Sequence, residues 1–184
     1  QVPHGAVRAY VMGERGARNE AATPDDIEKM GAIVEDALVA GALGFSTSRT
    51  MLHLAKDGEP VPGTFANKDE LLGIADAMKR TGHGVFEMAS DLNPAEKEFQ
   101  GMVEASKRTG LPVTYALLQN PSDPESWRKL LEMTDQAVEE NNGMFVTPIK
   151  KDIERISDET RGEIIDNHFS EFGHEQISEY FKEL

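Results

Sequence analysis

VAGALGFSTS, residues 39–48, is one instance of a repeated punctuation: a helix-like run ends, a glycine follows, and a short apolar run begins at once. The same order recurs at RTGHGVFEMAS (80–90), RTGLPVTYALL (108–118) and ENNGMFVTPI (140–149). Glycine just past a helix suits the left-handed C′ position, which a residue without a Cβ adopts cheaply. A run of Val, Phe, Tyr and Leu straight after it reads as a buried strand. Helix, tight turn and buried strand in repetition is the pattern of a parallel sheet. In such sheets the chemistry gathers at the C-terminal strand ends, so those ends are where candidate residues are sought.

Working outward, strand-like runs fall at Ala6–Met12, Leu43–Ser46, Gly84–Ala89, Val113–Leu118 and Met144–Pro148. Four amphipathic segments separate them. The first, Pro24–Ala40, has Thr23 as N-cap, Pro24 at the first helical position and Asp26 at the capping-box position. Its apolar residues Ile27, Met30, Val34, Ala37 and Leu38 recur at helical spacing. Leu71, Leu72, Ala75 and Met78 mark the second helix. Asn93-Pro94 opens a third, with Phe99, Met102, Val103 and Ser106 on one face. Ser122-Asp123-Pro124 opens a fourth, striped by Trp127, Leu130, Leu131, Thr134 and Val138. These stripes read as core-facing.

Strands and helices in strict alternation make either a doubly wound sheet or part of a (β/α)8 barrel. A whole barrel takes about 250 residues, so 184 residues supply roughly five of its eight units. No G-x-G-x-x-G follows the first strand; GERGAR (13–18) has the wrong spacing, which disfavours a dinucleotide fold. From Lys150 onward apolar residues recur at helical intervals with no further strand. The expected organisation is therefore an α/β unit over 1–148 and a helical tail over 149–184.

The hydrophobic content of 39% is that of a globular chain. A formal charge of −14 argues against a nucleic-acid partner, because phosphate binding needs clustered Lys and Arg. There are no cysteines, hence no disulfide framework and no thiolate metal ligand. No stretch approaches the ~20 apolar residues that span a bilayer, and no signal region opens the chain. A cytoplasmic protein without a membrane partner is the expectation.

PHGAVRAYVMGERGARNEAATPDDIEKM, then EDALVAGALGFSTSRTMLH and DGEPVPGTFA, together resemble the N-acyl-D-amino-acid deacylase branch of the amidohydrolase superfamily. The likeness rests on the H-G-x-x-R opening, the A-T-P-x-(D/E) helix start and the G-A-L-G-F-S-T segment, and covers about residues 1–148. It implies a partial (β/α)8 TIM barrel of the metal-dependent hydrolase type, cleaving the amide of an N-acylated D-amino acid or a related linear amide. It also implies zinc, which lowers the pKa of a bound water toward 7. In that family an early H-x-H pair and a late Asp serve the metal, and both would lie outside this chain. Two strands that usually carry metal-binding histidines read VFEMASD (85–91) and VTYALLQN (113–120) here, without one. The resemblance thus implies an interior piece of a barrel, inactive alone, whose partner is the rest of the barrel or a second associating chain. The rival is a non-catalytic α/β module acting through binding.

None of His4, His53, His83, His168 and His174 stands in H-x-H or H-E-x-x-H spacing. His4 and Arg8 share a face of the first strand by alternation and read as a structural pair. His83 lies at the N-terminal, stability end of its strand; His168 and His174 lie in the tail. The segment Ser46–Ala66, roughly 20 residues, is far longer than an ordinary strand-to-helix connection and follows a strand directly. Ser46, Ser48, Arg49 and His53 are accordingly the substrate-binding candidates, with Arg49 suited to a bidentate grip on a substrate carboxylate. Asp91 and Gln119 fall just past two strand ends and are the candidate metal ligands. Glu87 shares a face with Asp91, and a carboxylate pair aimed into a barrel implies a polar site there.

Overall fold

A computed structural model of the protein describes residues 1–90, 95–117, 132–133, 136–137, 139–140 and 145–146. The chain divides at residues 147 and 148, and all the described residues belong to the first part. Their order is β1 (Val2–Pro3), α1 (His4–Met12), α2 (Glu14–Ala17), α3 (Pro24–Val39), β2 (Gly44–Arg49), α4 (Lys68–Thr81), β3 (Val85–Ser90), α5 (Ala95–Thr109), β4 (Val113–Leu117) and β5 (Phe145–Val146).

Helix α3 begins as its sequence dictates. The Thr23 hydroxyl accepts from Asp26 N at 3.2 Å, and the Asp26 carboxylate accepts from Thr23 N at 2.8 Å. Helix α4 starts on Asn67, whose side chain accepts from Glu70 N, and stops at Gly82 with φ 71°. That left-handed turn releases the chain into β3 one residue past a second positive-φ glycine, Gly84.

The five strands pair in parallel in the order β1-β2-β3-β4-β5, each beside its sequence neighbour. A doubly wound sheet reverses its order part-way, whereas a barrel wall does not. Helix α3 packs on α4 and α4 on α5, so these helices line one side of the sheet. This is the wall of a (β/α)8 barrel. Strands β2 and β3 approach so closely that a Cβ on Gly44 would lie 2.1 Å from the Val85 carbonyl oxygen.

Register fixes which side chains share a face. Phe45 pairs with Phe86, Thr47 with Met88, Phe86 with Val113 and Met88 with Tyr115. All six are buried, in a core with Met30, Val34 and Leu38 of α3, Ile74 and Met78 of α4 and Met102 of α5. Burying each large apolar side chain contributes about 1.5–3 kcal/mol. These alternate positions therefore face the helices, and the positions between them face the other way.

One strand expectation is corrected. Ala6–Met12 is not a strand; His4–Met12 forms helix α1. Its buried residues His4, Val7, Arg8 and Met12 follow the helical rule of every third or fourth position. The stripe is invisible if His and Arg are counted as surface residues, and Val and Tyr then read as strand. Strand β1 is only Val2–Pro3. Strand β2 runs three residues past the expected end. The fourth amphipathic stripe and the tail from 149 lie outside the described residues.

Candidate functional site

The face of the sheet turned away from the helices carries a polar row. Ser46 of β2 pairs in register with Glu87 of β3, and Glu87 with Thr114 of β4. All three are half-buried. A hydroxyl, a carboxylate and a second hydroxyl thus stand side by side across three neighbouring strands. Such a row can accept and donate hydrogen bonds to a substrate, and the carboxylate can take a proton. One step toward the C-terminal end lies Ser48, whose hydroxyl meets His53 Nδ1 at 2.9 Å. Among the described residues no carboxylate holds the other His53 nitrogen, so this is a serine–histidine pair without the third member of a triad.

The opposite face holds a buried ionic cluster at the same end of the sheet. His4 follows β1 directly, and its ring packs edge-on against Phe45 with centroids 5.1 Å apart. Its Nε2 lies 2.9 Å from Glu70 Oε1 and its Nδ1 2.8 Å from Thr47 Oγ1. Arg8 Nη1 donates to both oxygens of Glu70, at 2.6 Å to Oε2, and Arg8 Nη2 donates to the Glu20 carbonyl. His4, Arg8 and Glu70 are all at most 1% exposed. Arg8 Nε is the one guanidinium nitrogen there with no partner.

Burial pushes the His4 pKa below its ordinary value, against the pull of the Glu70 carboxylate. For Glu70 burial pushes upward, but hydrogen bonds and charge from His4 and Arg8 outweigh it and hold the carboxyl below its usual range. A charged Glu70 beside a neutral imidazole assigns the tautomer: His4 Nε2–H donates to Glu70, and Nδ1 accepts from the Thr47 hydroxyl. Both ring nitrogens are thereby committed.

The long connection after β2 is tied to this cluster. Asn19, at φ 58°, donates to the carbonyls of Pro60 and Val61 at 3.1 and 3.2 Å and accepts from Gly63 N at 2.7 Å. A Cβ on Gly63 would lie 2.7 Å from His4 Nδ1, so the strap crosses the imidazole where a side chain does not fit. Within the same connection a short turn, closed by Ala55 N donating to Glu59 O, carries the exposed residues 56–59.

The structure divides the four substrate-binding candidates. Ser46 and Ser48 lie on the polar face, with His53 against Ser48. Arg49 falls on the helix-facing side by strand alternation, where its Nε and Nη2 donate to Glu98 at 2.5 and 2.8 Å and its Nη1 donates to the Ala66 carbonyl. His83 stands at the N-terminal end of β3, its nitrogens 3.1 Å from the carbonyls of Thr81 and Leu38. Asp91, Gln119, His168 and His174 lie outside the described residues. Sequence reasoning missed Glu70 and Thr47. Asn67-x-x-Glu70 is a capping signature that would have placed Glu70 in the first turn of α4, though not turned toward His4 and Arg8.

A family model described as "Amidohydrolase family" matches residues 1–160. The chain belongs to the amidohydrolase family. No curated protein and no solved structure matches it. Amidohydrolases are generally metal-dependent hydrolases, and that requirement can be set against the donors present. Among the described residues no three His, Cys, Asp or Glu side chains come close enough to hold an ion. His4 has no nitrogen to offer, and Glu70 is already bound by the Arg8 guanidinium and the His4 N–H. The described donors of this amidohydrolase segment therefore do not by themselves make up a zinc site. Nor, among the described residues, is any helix long and apolar enough to cross a membrane.

Proposed function

We propose that this amidohydrolase segment forms part of the active-site wall of an enzyme that hydrolyses N-acyl-D-amino acids or a closely related linear amide. Water adds across the C–N bond, releasing a carboxylic acid and a free amine. The observation that carries the reading is the Ser46–Glu87–Thr114 row, polar and half-buried on the face opposite the helices. In this reading Ser46 and Thr114 orient the amide and Glu87 moves a proton. Ser48 and His53 extend the contact toward the strand ends. Asp91, directly after β3, and Gln119, two residues after β4, are the metal ligands this chain would contribute, zinc being the proposed ion. The other partner is the rest of the barrel, and the cytoplasm is the proposed compartment.

The test is amine release from paired N-acetyl-D- and N-acetyl-L-amino acids by the full-length protein, with and without Glu87→Gln. The D substrates should turn over, and E87Q should lower kcat by about 100-fold or more with an unchanged melting temperature. No turnover of any amide, or an E87Q enzyme of normal rate, would overturn the reading.

A further inference from the structure

A cavity of about 300 Å³ opens on the helix side of the barrel wall, between α4 and α5. Phe86 and Met88 of β3, Leu71 and Leu72 of α4 and Ala105 of α5 give it an apolar lining, and Phe65, 57% exposed, stands at its edge. Arg49 and Glu98, joined by their two-pronged ion pair, supply its polar end. Lys68 also borders it and is paired with Glu104. The volume is at the small end of ordinary ligand sites, and an apolar lining with one directional charged group is their usual composition.

The glycines single this cavity out. Gly73 in the middle of α4 has a packing reason, because a Cβ there would lie 2.3 Å from Ile27 Cγ2. Gly31 in α3 has one too, with Ala77 Cβ at 3.1 Å. Gly101 lies in the middle of α5, borders the cavity, and a Cβ there would meet nothing within 4 Å. An interior helical glycine weakens a helix by roughly 1 kcal/mol relative to alanine. Among the described residues no neighbour requires it. What it provides is space in the cavity.

We propose that this cavity is a binding site for a small monocarboxylate with an apolar tail, the carboxylate replacing Glu98 on the Arg49 fork and the tail lying over Met88 beside Gly101. Glu98 is the built-in occupant of that fork. Two nitrogens of the guanidinium already hold a carboxylate in bidentate geometry, and a ligand carboxylate has the same shape. The site lies across the sheet from the Ser46–Glu87–Thr114 row, so its occupancy does not depend on catalysis.

The test uses the full chain with methyl-¹³C methionine, titrated with octanoate and, as a neutral control of equal length, octanamide. Octanoate should move the Met88 methyl signal saturably, and octanamide should bind at least about tenfold more weakly. Three variants separate the parts. Arg49→Gln should abolish the octanoate shift. Glu98→Gln, which removes the internal competitor, should tighten octanoate about fivefold or more. Gly101→Leu fills the tail site from an open position in a helix, so it should fold at least as well as the parent and not bind. Equal binding of octanamide would overturn the proposal, as would no Met88 shift, an E98Q affinity equal to the parent's, or octanoate binding to folded G101L.

Discussion

Two polar groupings lie on opposite sides of the sheet, one between β2 and the helices α1 and α4, the other across β2, β3 and β4, and they differ in what they leave available. On the helix side, His4, Arg8, Glu70 and Thr47 are sealed from solvent and committed to one another. On the other side, Ser46, Glu87 and Thr114 stand half-buried in register. A carboxylate gripped by an arginine and an imidazole holds elements together: Glu70 ties the start of α4 to α1, while Asn19 and Gly63 fasten the strap over His4. A carboxylate on the open face is placed to meet something else. Burial with mutual pairing of the charged groups marks structure, and partial burial within a polar row marks a surface for chemistry.

The sharpest way to break that contrast is to remove the charge of Glu70. Glu70→Gln leaves Arg8 buried without its counter-ion, and loss of one partner from a buried pair costs about 3–5 kcal/mol. Urea unfolding should show a shift of that size; a change under about 1 kcal/mol would mean the cluster does not hold α4 to α1.

Acid provides the next largest effect, in a fixed direction. His4 has a depressed pKa in the folded state, so the unfolded chain takes up the proton first. Its contribution is complete above the ordinary value of 6.5 and is lost as the pH falls below it. Glu70 is also depressed, so its contribution is complete above 4.5 and is lost below. Asp26, held at about 2 by hydrogen bonds from Thr23 and Arg15, adds to the loss below 3.8. Unfolding midpoints between pH 8 and pH 5 should therefore fall in the parent, with a slope of at most about 1.4 kcal/mol per pH unit from this one proton. The decline should be shallower in His4→Asn. Equal slopes in the two proteins would remove His4 from the account.

How much of this was legible beforehand varies with the physics behind each feature. The capping box at Thr23 and Asp26 and the turn glycines Gly41, Gly82 and Gly110 are local rules, and the structure follows them; Gly143 lies outside the described residues. The α3, α4 and α5 stripes were readable because they are apolar, and apolar periodicity is the signal that sequence reading detects. Helix α1 was misread because two of its buried positions are His4 and Arg8. Their burial depends on Glu70, more than sixty residues away, which no local pattern reveals. The separation of Arg49 from Ser46 and Ser48 is a matter of parity along a strand. It became readable only once β2 was seen to run on to Arg49 rather than stop at Ser46.

A smaller change probes the local rule. Thr23→Ala removes the hydroxyl that accepts from Asp26 N and donates to the Asp26 carboxylate at 2.8 Å, and should lower stability by about 1 kcal/mol. The loss should be the same at pH 5 and pH 8, since it belongs to a cap and not to the buried cluster. A strong pH dependence between those values would couple α3 to His4.

The smallest stability effect is expected where the contrast predicts the greatest chemical importance. Glu87 neighbours Ser46 and Thr114 in register and, among the described residues, has no charged partner like the Arg8 that grips Glu70. Glu87→Gln keeps the shape and removes the charge, so it should change stability by no more than about 0.5 kcal/mol. A rise in stability would sharpen the point, because a carboxylate kept at an energetic disadvantage is retained for something other than the fold. A loss approaching that of Glu70→Gln would instead mean that both faces of this wall are structural, and that the chemistry must be sought beyond β2, β3 and β4.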